Sequence, residues 1–518
     1  MQASDILKRI KIDSSERSGD LTKVKVAAGD LASLALTLST EFDLPLSLLF
    51  ATDDRKEQGV FGVHALFSVD SSHEWLMLSI ELPAENPRYP AVTAVLMAAH
   101  WYERYLHDMF GIVPEGHPDL RRLVHHENIP EGTYPLRKDF AWNSKLDHAN
   151  VPYPMGHVEG EGIYEIPVGP IHAGIIEPGH FRFNVAGEKI ITLEGKLFFT
   201  HKGVEKLLEG KTPSEALPFI ERLSGDMAAA NALAFCQAAE TLAGSKVPER
   251  ALMLRTLVLE LERLTMHIHD LANIGGMGTG YSFIAANGFR IKERLQRLSA
   301  DIFGNRFWRG MIVPGGIAKD LTEGQLAQIK QVAREAYEDM KEVVATALSS
   351  EGFMDRLQTT GVLPLEAAKA FGALGLPARA SGLDRDVRRD HPHAAYGRFP
   401  VKVVTKHAGD VHARYTARYD ELDEVIRFIE AIINNLAEGP LSVPCVPENG
   451  FAIGATESWR GEVVCALYMQ NGVITRCFPR DPSFCNWATF AIIGPGNIVP
   501  DFPLCNKSLN LSYSGTDM

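Results

Sequence analysis

The sequence predicts an α+β protein, with a small mixed domain at its N-terminus and a mainly helical part after it. Two early stretches, residues 59–69 and 75–82, have the composition of β-strands. Further along, residues 249–273 are rich in leucine at near-helical spacing. Strands near the start and long helices later indicate a small antiparallel sheet with helices, followed by a helix bundle with further small sheets.

The elements of the first part are predicted in order from these patterns. Residues 6–12 form an amphipathic opening, and residues 31–49, rich in leucine and serine, are predicted to be helical. The two strands at 59–69 and 75–82 complete the unit. Residues 141–156 are polar and contain proline, which favours a linker.

The second part begins with predicted strands at residues 164–168 and 189–193. The helix at residues 249–273 follows. Thr322 and Gln325 have the spacing of a capping box, which predicts the start of a second long helix. A third helix is predicted from apolar residues at helical spacing between positions 422 and 436.

Composition excludes several classes of protein. The 518 residues are enough for two or three domains, and the net charge of −13 argues against a nucleic-acid-binding surface. The N-terminus lacks the apolar core of a signal peptide, and no apolar run approaches the ~20 residues that span a bilayer. The six cysteines contain no CxxC pair, so we expect buried thiols in a cytoplasmic protein.

A charged signature ends the first part. It consists of WYERYLHDMFGI at 101–112, GHPDLRRL at 116–123 and PLRKDF at 135–140. Together these segments resemble the 30 kDa subunit of respiratory complex I, the NADH:quinone oxidoreductase. Arginine and aspartate clusters in turns of this kind form ion-paired docking surfaces.

The second part resembles both the 49 kDa subunit of complex I and the large subunit of membrane-bound [NiFe] hydrogenases. The resemblance rests on GPIHAGIIEPGHFRF at 169–183, HKGVEK at 201–206, ERLSGDM at 221–227 and NLSYSG at 510–515. A single chain that joins both parts is similar to formate hydrogenlyase-type large subunits. The resemblance implies a 30 kDa-like domain at 1–145, a linker at 146–156, and a 49 kDa-like, hydrogenase large-subunit-like domain at 157–518.

The four thiolates that hold nickel and iron in hydrogenases are missing. Their positions in this sequence are Ser224, Met227, Ser512 and Gly515. A serine hydroxyl stays protonated near neutral pH and a thioether carries no charge, so neither replaces a bridging thiolate. We therefore expect no Ni–Fe centre. The chain also ends near the end of mature large subunits, as expected of a protein outside the nickel-insertion pathway.

Other residues match functional positions of the two families. The resemblance implies that His172 contacts a quinone, that Glu177 and Arg460 belong to a cavity and its proton relay, and that Arg222 occupies the place of the quinone-binding tyrosine of complex I. Glu205 matches a magnesium ligand of hydrogenases. A lone carboxylate is weak evidence for Mg²⁺, so a salt bridge from Glu205 to Lys202 or Lys206 is the favoured alternative.

The resemblance also implies partners and cofactors. A small Fe–S subunit and membrane-arm subunits are expected as partners, and no nucleic acid is. Fe–S clusters, and NAD if it is used, are expected on other subunits, because GGMGTG at 275–280 follows a helix and no Walker A motif occurs. The expected location is the cytoplasmic face of the cell membrane.

Three functions remain in view. The first is an oxidoreductase subunit that couples electron transfer to quinone-type reduction or ion translocation. The second is a scaffold without catalysis, in which His172, Glu177 and Arg460 can be replaced without effect. The third, an active [NiFe] hydrogenase, is disfavoured by the residues at the four ligand positions.

Overall fold

The computed structural model describes residues 1–12, 14–172 and 176–518. The α-helices, numbered in chain order, are α1 (Ala3–Arg9), α2 (Leu31–Glu41), α3 (Arg55–Gln58), α4 (His100–Phe110), α5 (Val204–Leu208), α6 (Pro213–Ile220), α7 (Ala228–Leu242), α8 (Glu249–Ala272), α9 (Ser282–Phe303), α10 (Glu323–Leu348), α11 (Glu351–Leu357), α12 (Leu365–Ala370), α13 (Gly375–Ala380), α14 (Val387–Asp390), α15 (Val411–Asn434), α16 (Pro482–Asn486), α17 (Phe490–Ile493), α18 (Phe502–Leu509) and α19 (Tyr513–Asp517).

The strands are β1 (Glu16–Ser18), β2 (Leu21–Lys25), β3 (Leu46–Asp54), β4 (Val60–Val69), β5 (Glu74–Pro83), β6 (Arg88–Pro90), β7 (Val113–Glu115), β8 (Ile163–Val168), β9 (His180–Ala186), β10 (Lys189–Lys196), β11 (Ile312–Val313), β12 (Gly316–Ile317), β13 (Gly450–Glu457), β14 (Glu462–Gln470) and β15 (Val473–Arg480). This mixture of helices and small sheets confirms the predicted α+β class.

A five-stranded sheet with the order β1-β2-β5-β4-β3 forms the centre of the first part. Strands β4 and β5 coincide with the predicted stretches, and they pair in antiparallel fashion. The predicted helix at 31–49 was too long: α2 ends at Glu41, and β3 begins at Leu46. Asp43 with a φ of 54° and Pro45 separate the two elements. Because β3 is buried on both faces, its continuous apolar run cannot be told from a helix by periodicity.

Four long helices, α8, α9, α10 and α15, pack against one another in the second part. The predicted capping box starts α10, since Thr322 Oγ1 accepts from the Gln325 amide at 3.2 Å and the Gln325 side chain accepts from the Thr322 amide at 3.0 Å. Helix α8 is buried along nearly its whole length. It continues into a π-helical turn at Asn273–Gly278, so the glycine-rich stretch that begins at Gly275 follows a helix, as predicted.

An antiparallel sheet of β13, β14 and β15 carries α7 on one face. The helix approaches β13 closely at Gly454, where a Cβ atom would lie 1.9 Å from the carbonyl oxygen of Ala234. Only glycine permits this contact. The close packing fixes the start of α7 relative to the turn that follows β13, and both border the site described below.

Buried polar contacts join the first part to the second. The Tyr105 hydroxyl and Arg476 both bond Glu205, and the Arg476 Nε atom donates to the carbonyl oxygen of Ala51 at 2.9 Å. Residues 141–156 contain no helix or strand. The domain boundaries at 145 and 157 stay a prediction. Within the described residues, no helix is both long and apolar enough to cross a membrane.

Candidate functional site

Two segments far apart in the sequence meet at the predicted metal position. Ser224 lies in the turn between α6 and α7, and Ser512 caps the N-terminus of α19. Their hydroxyl oxygens are 3.0 Å apart although 288 residues separate them along the chain. The structure therefore brings together two of the four positions at which hydrogenases carry thiolates.

Arg460 and Asp226 occupy the space beside these hydroxyls. The guanidinium of Arg460 bonds both carboxylate oxygens of Asp226 at 2.8 Å, and its Nε atom donates to the carbonyl oxygen of Asn510 at 2.6 Å. Burial raises the pKa of Asp226, but the charge and hydrogen bonds of Arg460 outweigh it and hold the value at about 2. The pair is therefore ionised at neutral pH.

The serine hydroxyls are engaged by their neighbours. Ser224 Oγ lies 2.8 Å from an oxygen of Asp226 and 3.2 Å from a guanidinium nitrogen of Arg460. Ser512 Oγ accepts from the amide of Gly515 at 2.9 Å and thereby caps α19. The single hydroxyl proton of Ser224 can point to Asp226 or to Ser512, and the charge of Asp226 favours the first.

The other two ligand positions offer no donor for a metal. Met227 is fully buried at the start of α7. A Cβ atom on Gly515 would lie 2.3 Å from a carboxylate oxygen of Asp481, which caps α16 by accepting from the Ser483 amide at 2.8 Å. A thiolate at position 515 would need this carboxylate to move.

A nickel–iron centre does not fit this donor set. Two hydroxyls, a thioether and a position without a side chain supply none of the bridging thiolates. Across residues 1–12, 14–172 and 176–518, no group of three or more His, Cys, Asp or Glu side chains could hold a metal ion. The cysteines among these residues are free thiols.

Buried acidic groups from α8 surround the pair, and the sequence patterns did not single them out. Glu262 accepts from the amides of Ala229 and Ala230 at 2.9 and 3.3 Å, at the N-terminus of α7. Burial raises the pKa of Glu262 to about 8, so this carboxyl group is largely protonated near neutrality. Asp270 bonds Arg418 at 2.7 Å, and burial raises its pKa as well. The available signal was acidic residues on an otherwise apolar helix.

The predicted relay residues His172 and Glu177 lie at the edge of the site. His172 Nε2 is 2.8 Å from the carbonyl oxygen of Gly179. Glu177 was expected to be buried, but it is exposed, and its Oε2 atom accepts from the Ser514 amide at 2.9 Å. The Ser514 and Ser512 hydroxyls are 3.5 Å apart, which connects this edge to the centre of the site. Residues 173–175 lie outside the described residues.

Arg222 does not point into the site. Its side chain is exposed and donates to the carbonyl oxygen of Pro218 at 2.7 Å, one turn earlier. The resemblance paired Arg222 with His172 around a quinone. Each of the two instead bonds its own neighbouring backbone. A quinone therefore finds one imidazole at the edge of the site and, at position 222, a cation that turns away.

Glu205 has a different partner from the one expected. The predicted salt bridge to Lys202 or Lys206 was wrong, because Glu205 is buried and bonds Arg476 and the Tyr105 hydroxyl. Lys202 donates to the carbonyl oxygen of Ser514 at 2.8 Å instead, and Lys206 to that of Arg137 at 3.0 Å. A carboxylate held by a guanidinium and a phenol has no oxygen ligands beside it for Mg²⁺.

Family models match both parts of the chain. The model described as "Respiratory-chain NADH dehydrogenase, 30 Kd subunit" matches residues 24–145. The model described as "Respiratory-chain NADH dehydrogenase, 49 Kd subunit" matches residues 278–448.

Known proteins match over almost the whole length. Formate hydrogenlyase subunit 5 of Escherichia coli (strain K12) is 35% identical over 487 residues, which cover 91% of this chain and 84% of the relative. Hydrogenase-4 component G of the same organism is 30% identical over 517 residues, or 98% and 90%. The C/D-type NADH-quinone oxidoreductase protein of Bdellovibrio bacteriovorus is 27% identical over 532 residues, or 94% and 93%. The chain belongs to the family of fused complex I 30 kDa and 49 kDa proteins that includes formate hydrogenlyase subunit 5 and hydrogenase-4 component G.

Proposed function

We propose that this chain is the hydrogenase-like subunit of a membrane-associated, complex I-related oxidoreductase, and that it works there without a Ni–Fe centre of its own. Membership in a family whose members are named as subunits and components supports the first half of the proposal. The contact between Ser224 and Ser512, with Asp226 and Arg460 beside it, carries the second half.

In this proposal a small Fe–S subunit delivers electrons next to this chain, and membrane-arm subunits anchor the assembly at the cytoplasmic side of the membrane. NAD, if the assembly uses it, binds another subunit. This chain couples the electron transfer to ion translocation or to reduction of a quinone-type acceptor. Its own contribution is to hold fixed charges and to move protons between ionisable groups.

The groups available for protons form a connected edge. Glu177 is exposed and bonds the Ser514 amide, the Ser514 hydroxyl is 3.5 Å from that of Ser512, and Ser512 bonds Ser224. Hydroxyls that can turn between two acceptors can pass protons along such a row. Asp226 at the inner end stays ionised, so the row can orient protons toward the interior without storing one there.

A scaffold without catalysis is the second candidate, and a specific observation favours it. The Asp226 carboxylate, the Arg460 guanidinium and both serine hydroxyls bond one another or nearby backbone atoms. A network that satisfies itself in this way holds the C-terminal segment against the turn before α7 without any ligand.

Elemental analysis tests the absence of the metal centre. The intact complex and this chain alone are purified and their nickel and iron contents are measured. We expect no nickel in either sample, and iron only in the complex, in stoichiometry with the Fe–S subunit. Stoichiometric nickel on the isolated chain would overturn the proposal.

Variants of the intact complex separate coupling from scaffolding. Glu177→Gln and His172→Gln are each compared with Glu161→Gln, a control that removes another exposed carboxylate from the same region. Coupling predicts that Glu177→Gln or His172→Gln lowers quinone reduction or ion transport in vesicles severalfold, while electron transfer to an artificial acceptor and assembly stay intact. Unchanged transport and reduction in both variants would favour the scaffold.

A further inference from the structure

A cleft of about 410 Å³ lies on one face of the five-stranded sheet of the first part, far in sequence from the serines discussed above. Residues from β2, β3, β4 and β5 form its floor, and Tyr468 of β14 lines one wall. A volume of this size accommodates a small organic ligand.

Hydrogen bonds in a fixed direction cross the floor from strand to strand. Ser79 Oγ is 2.9 Å from Nδ1 of His64, and Nε2 of His64 is 3.1 Å from the hydroxyl of Thr52. Thr52 in turn donates to a carboxylate oxygen of Asp54 at 2.6 Å. Because Thr52 gives its proton to Asp54, it accepts from His64, and Nδ1 of His64 then accepts from Ser79.

This row does not activate Ser79 as a nucleophile. Burial, followed by the charges of Lys23 and Arg476, lowers the pKa of His64 to about 3. An imidazole with so low a pKa is a weak general base at neutral pH. The row instead sets what the floor offers to a ligand: Ser79, whose proton is already donated, and Asp54 present acceptor oxygens.

Gly62 makes the lowest point of the floor. A Cβ atom there would lie 2.4 Å from the Thr52 hydroxyl oxygen and 2.7 Å from Nε2 of His64. The bond between Thr52 and His64 therefore passes directly over a position that has no side chain. In the strand register, Gly62 lies between Thr52 of β3 and Glu81 of β5.

The charge at the β3 end of the cleft is negative. Burial raises the pKa of Asp54; the Thr52 bond opposes this rise, and the charges of Glu57 and Asp53 add to it. On the other side of β4, Glu81 pairs with the exposed Lys25 at 2.6 Å. A cation bound next to Asp54 would offset the cost of burying its carboxylate. The aromatic ring of Tyr468 also favours a cation at the wall of the cleft.

We propose that this cleft binds a small organic cation with N–H donors, such as an amidine or a guanidine, whose donors reach Asp54 and Ser79 on the floor. The amidine or guanidine group is planar and delivers two parallel N–H donors to a carboxylate. This site is independent of the function proposed above, since none of its residues takes part in that function.

Benzamidine is the probe, and benzoate, with a carboxylate in place of the amidine, is the matched control ligand. Isothermal titration calorimetry on the full chain measures both. We expect benzamidine to bind with a Kd of about 1 mM or tighter and benzoate not to bind. Asp54→Asn is expected to weaken benzamidine at least tenfold while the melting temperature of the free protein stays within a few degrees of wild type.

Glu57→Gln is the control variant, because Glu57 is exposed on α3 next to Asp54 and does not line the cleft. It should leave the Kd within twofold of wild type. Gly62→Ala tests the floor: its Cβ atom should disturb the Thr52–His64 bond and weaken benzamidine severalfold. The proposal is overturned if benzamidine does not bind, if benzoate binds equally well, or if Asp54→Asn has no larger effect than Glu57→Gln.

Discussion

Arg460 and Asp226, 234 residues apart in the sequence, form a two-armed ion pair with both contacts at 2.8 Å. The guanidinium also lies over the ring of Trp459, with 3.9 Å between the guanidinium carbon and the ring centroid. The pair places a positive and a negative charge beside the two serines that meet at the former ligand positions. The site has thus exchanged metal–thiolate bonds for an ion pair supported by hydroxyls.

Removal of Asp226 should be costly, because Arg460 is buried and would lose its counter-charge. We expect Asp226→Ala to lower the free energy of unfolding by about 3 kcal/mol or more, in the range typical when one partner of a buried pair is removed. Urea denaturation measures the change. The double variant Asp226→Leu/Arg460→Met should be less destabilised than Asp226→Ala. A double variant that loses as much would show that the unpaired charge is not the cause.

A side chain at position 515 should be tolerated poorly. Gly515→Ala places a Cβ atom 2.3 Å from the carboxylate of Asp481, and overpacking of this kind costs about 1–3 kcal/mol. Asp481→Ser shortens the obstructing side chain and keeps a hydroxyl that can cap α16. Thermal denaturation of the single and double variants should show that Asp481→Ser recovers part of the loss. Full stability of Gly515→Ala alone would contradict this close approach.

Magnesium should not affect the region around Glu205. The carboxylate is occupied by Arg476 and Tyr105, so EDTA and millimolar Mg²⁺ should leave the melting temperature unchanged. Glu205→Gln should destabilise the protein by about 3 kcal/mol because Arg476 would remain buried without its counter-charge. Glu209→Gln is the control, since its ion pairs lie nearer the surface and should cost less than about 1 kcal/mol. A melting temperature that rises with Mg²⁺ would reinstate a metal at Glu205.

Glu262 should make the stability depend on pH. Burial raises its pKa from 4.5 to about 8, so between these values the folded chain holds a proton that the unfolded chain releases. Stability from this group is therefore present below about pH 4.5 and declines as pH rises to 8, with a slope of at most about 1.4 kcal/mol per pH unit.

The comparison of wild type with Glu262→Gln isolates this contribution. The variant should gain stability relative to wild type as pH rises from 5 to 8, apart from a constant offset. Glu249→Gln, at the more exposed start of α8, should run parallel to wild type. Urea denaturation at several pH values gives the curves, and parallel curves for wild type and Glu262→Gln would exclude the raised pKa.

Local sequence patterns predicted the elements that depend on local rules. The capping box at Thr322, the strands β4 and β5 and the leucine-rich helix α8 were all visible, because each follows from short-range spacing. Strand β3 was missed since burial on both faces removes the alternation on which strand prediction depends.

The candidate site could be predicted only in part. The sequence placed Ser224 and Ser512 at corresponding ligand positions, and the structure puts them in contact. It could not reveal that Arg222 turns to solvent, or that the partner of Glu205 is Arg476, 271 residues away. Such partners come from distant segments, and a salt bridge expected between neighbours on a short helix is no guide to them.

The contact of Tyr105 and Arg476 with Glu205 has a consequence for the two parts as separate molecules. Arg476 and Glu205 are buried beneath Tyr105 and the backbone of Ala51, which both come from the first part. Without that part, two charges and the apolar surface around them would face water. A chain cut within residues 141–156 should therefore recover its native form through co-production of both fragments, with the fragments held together by their buried interface.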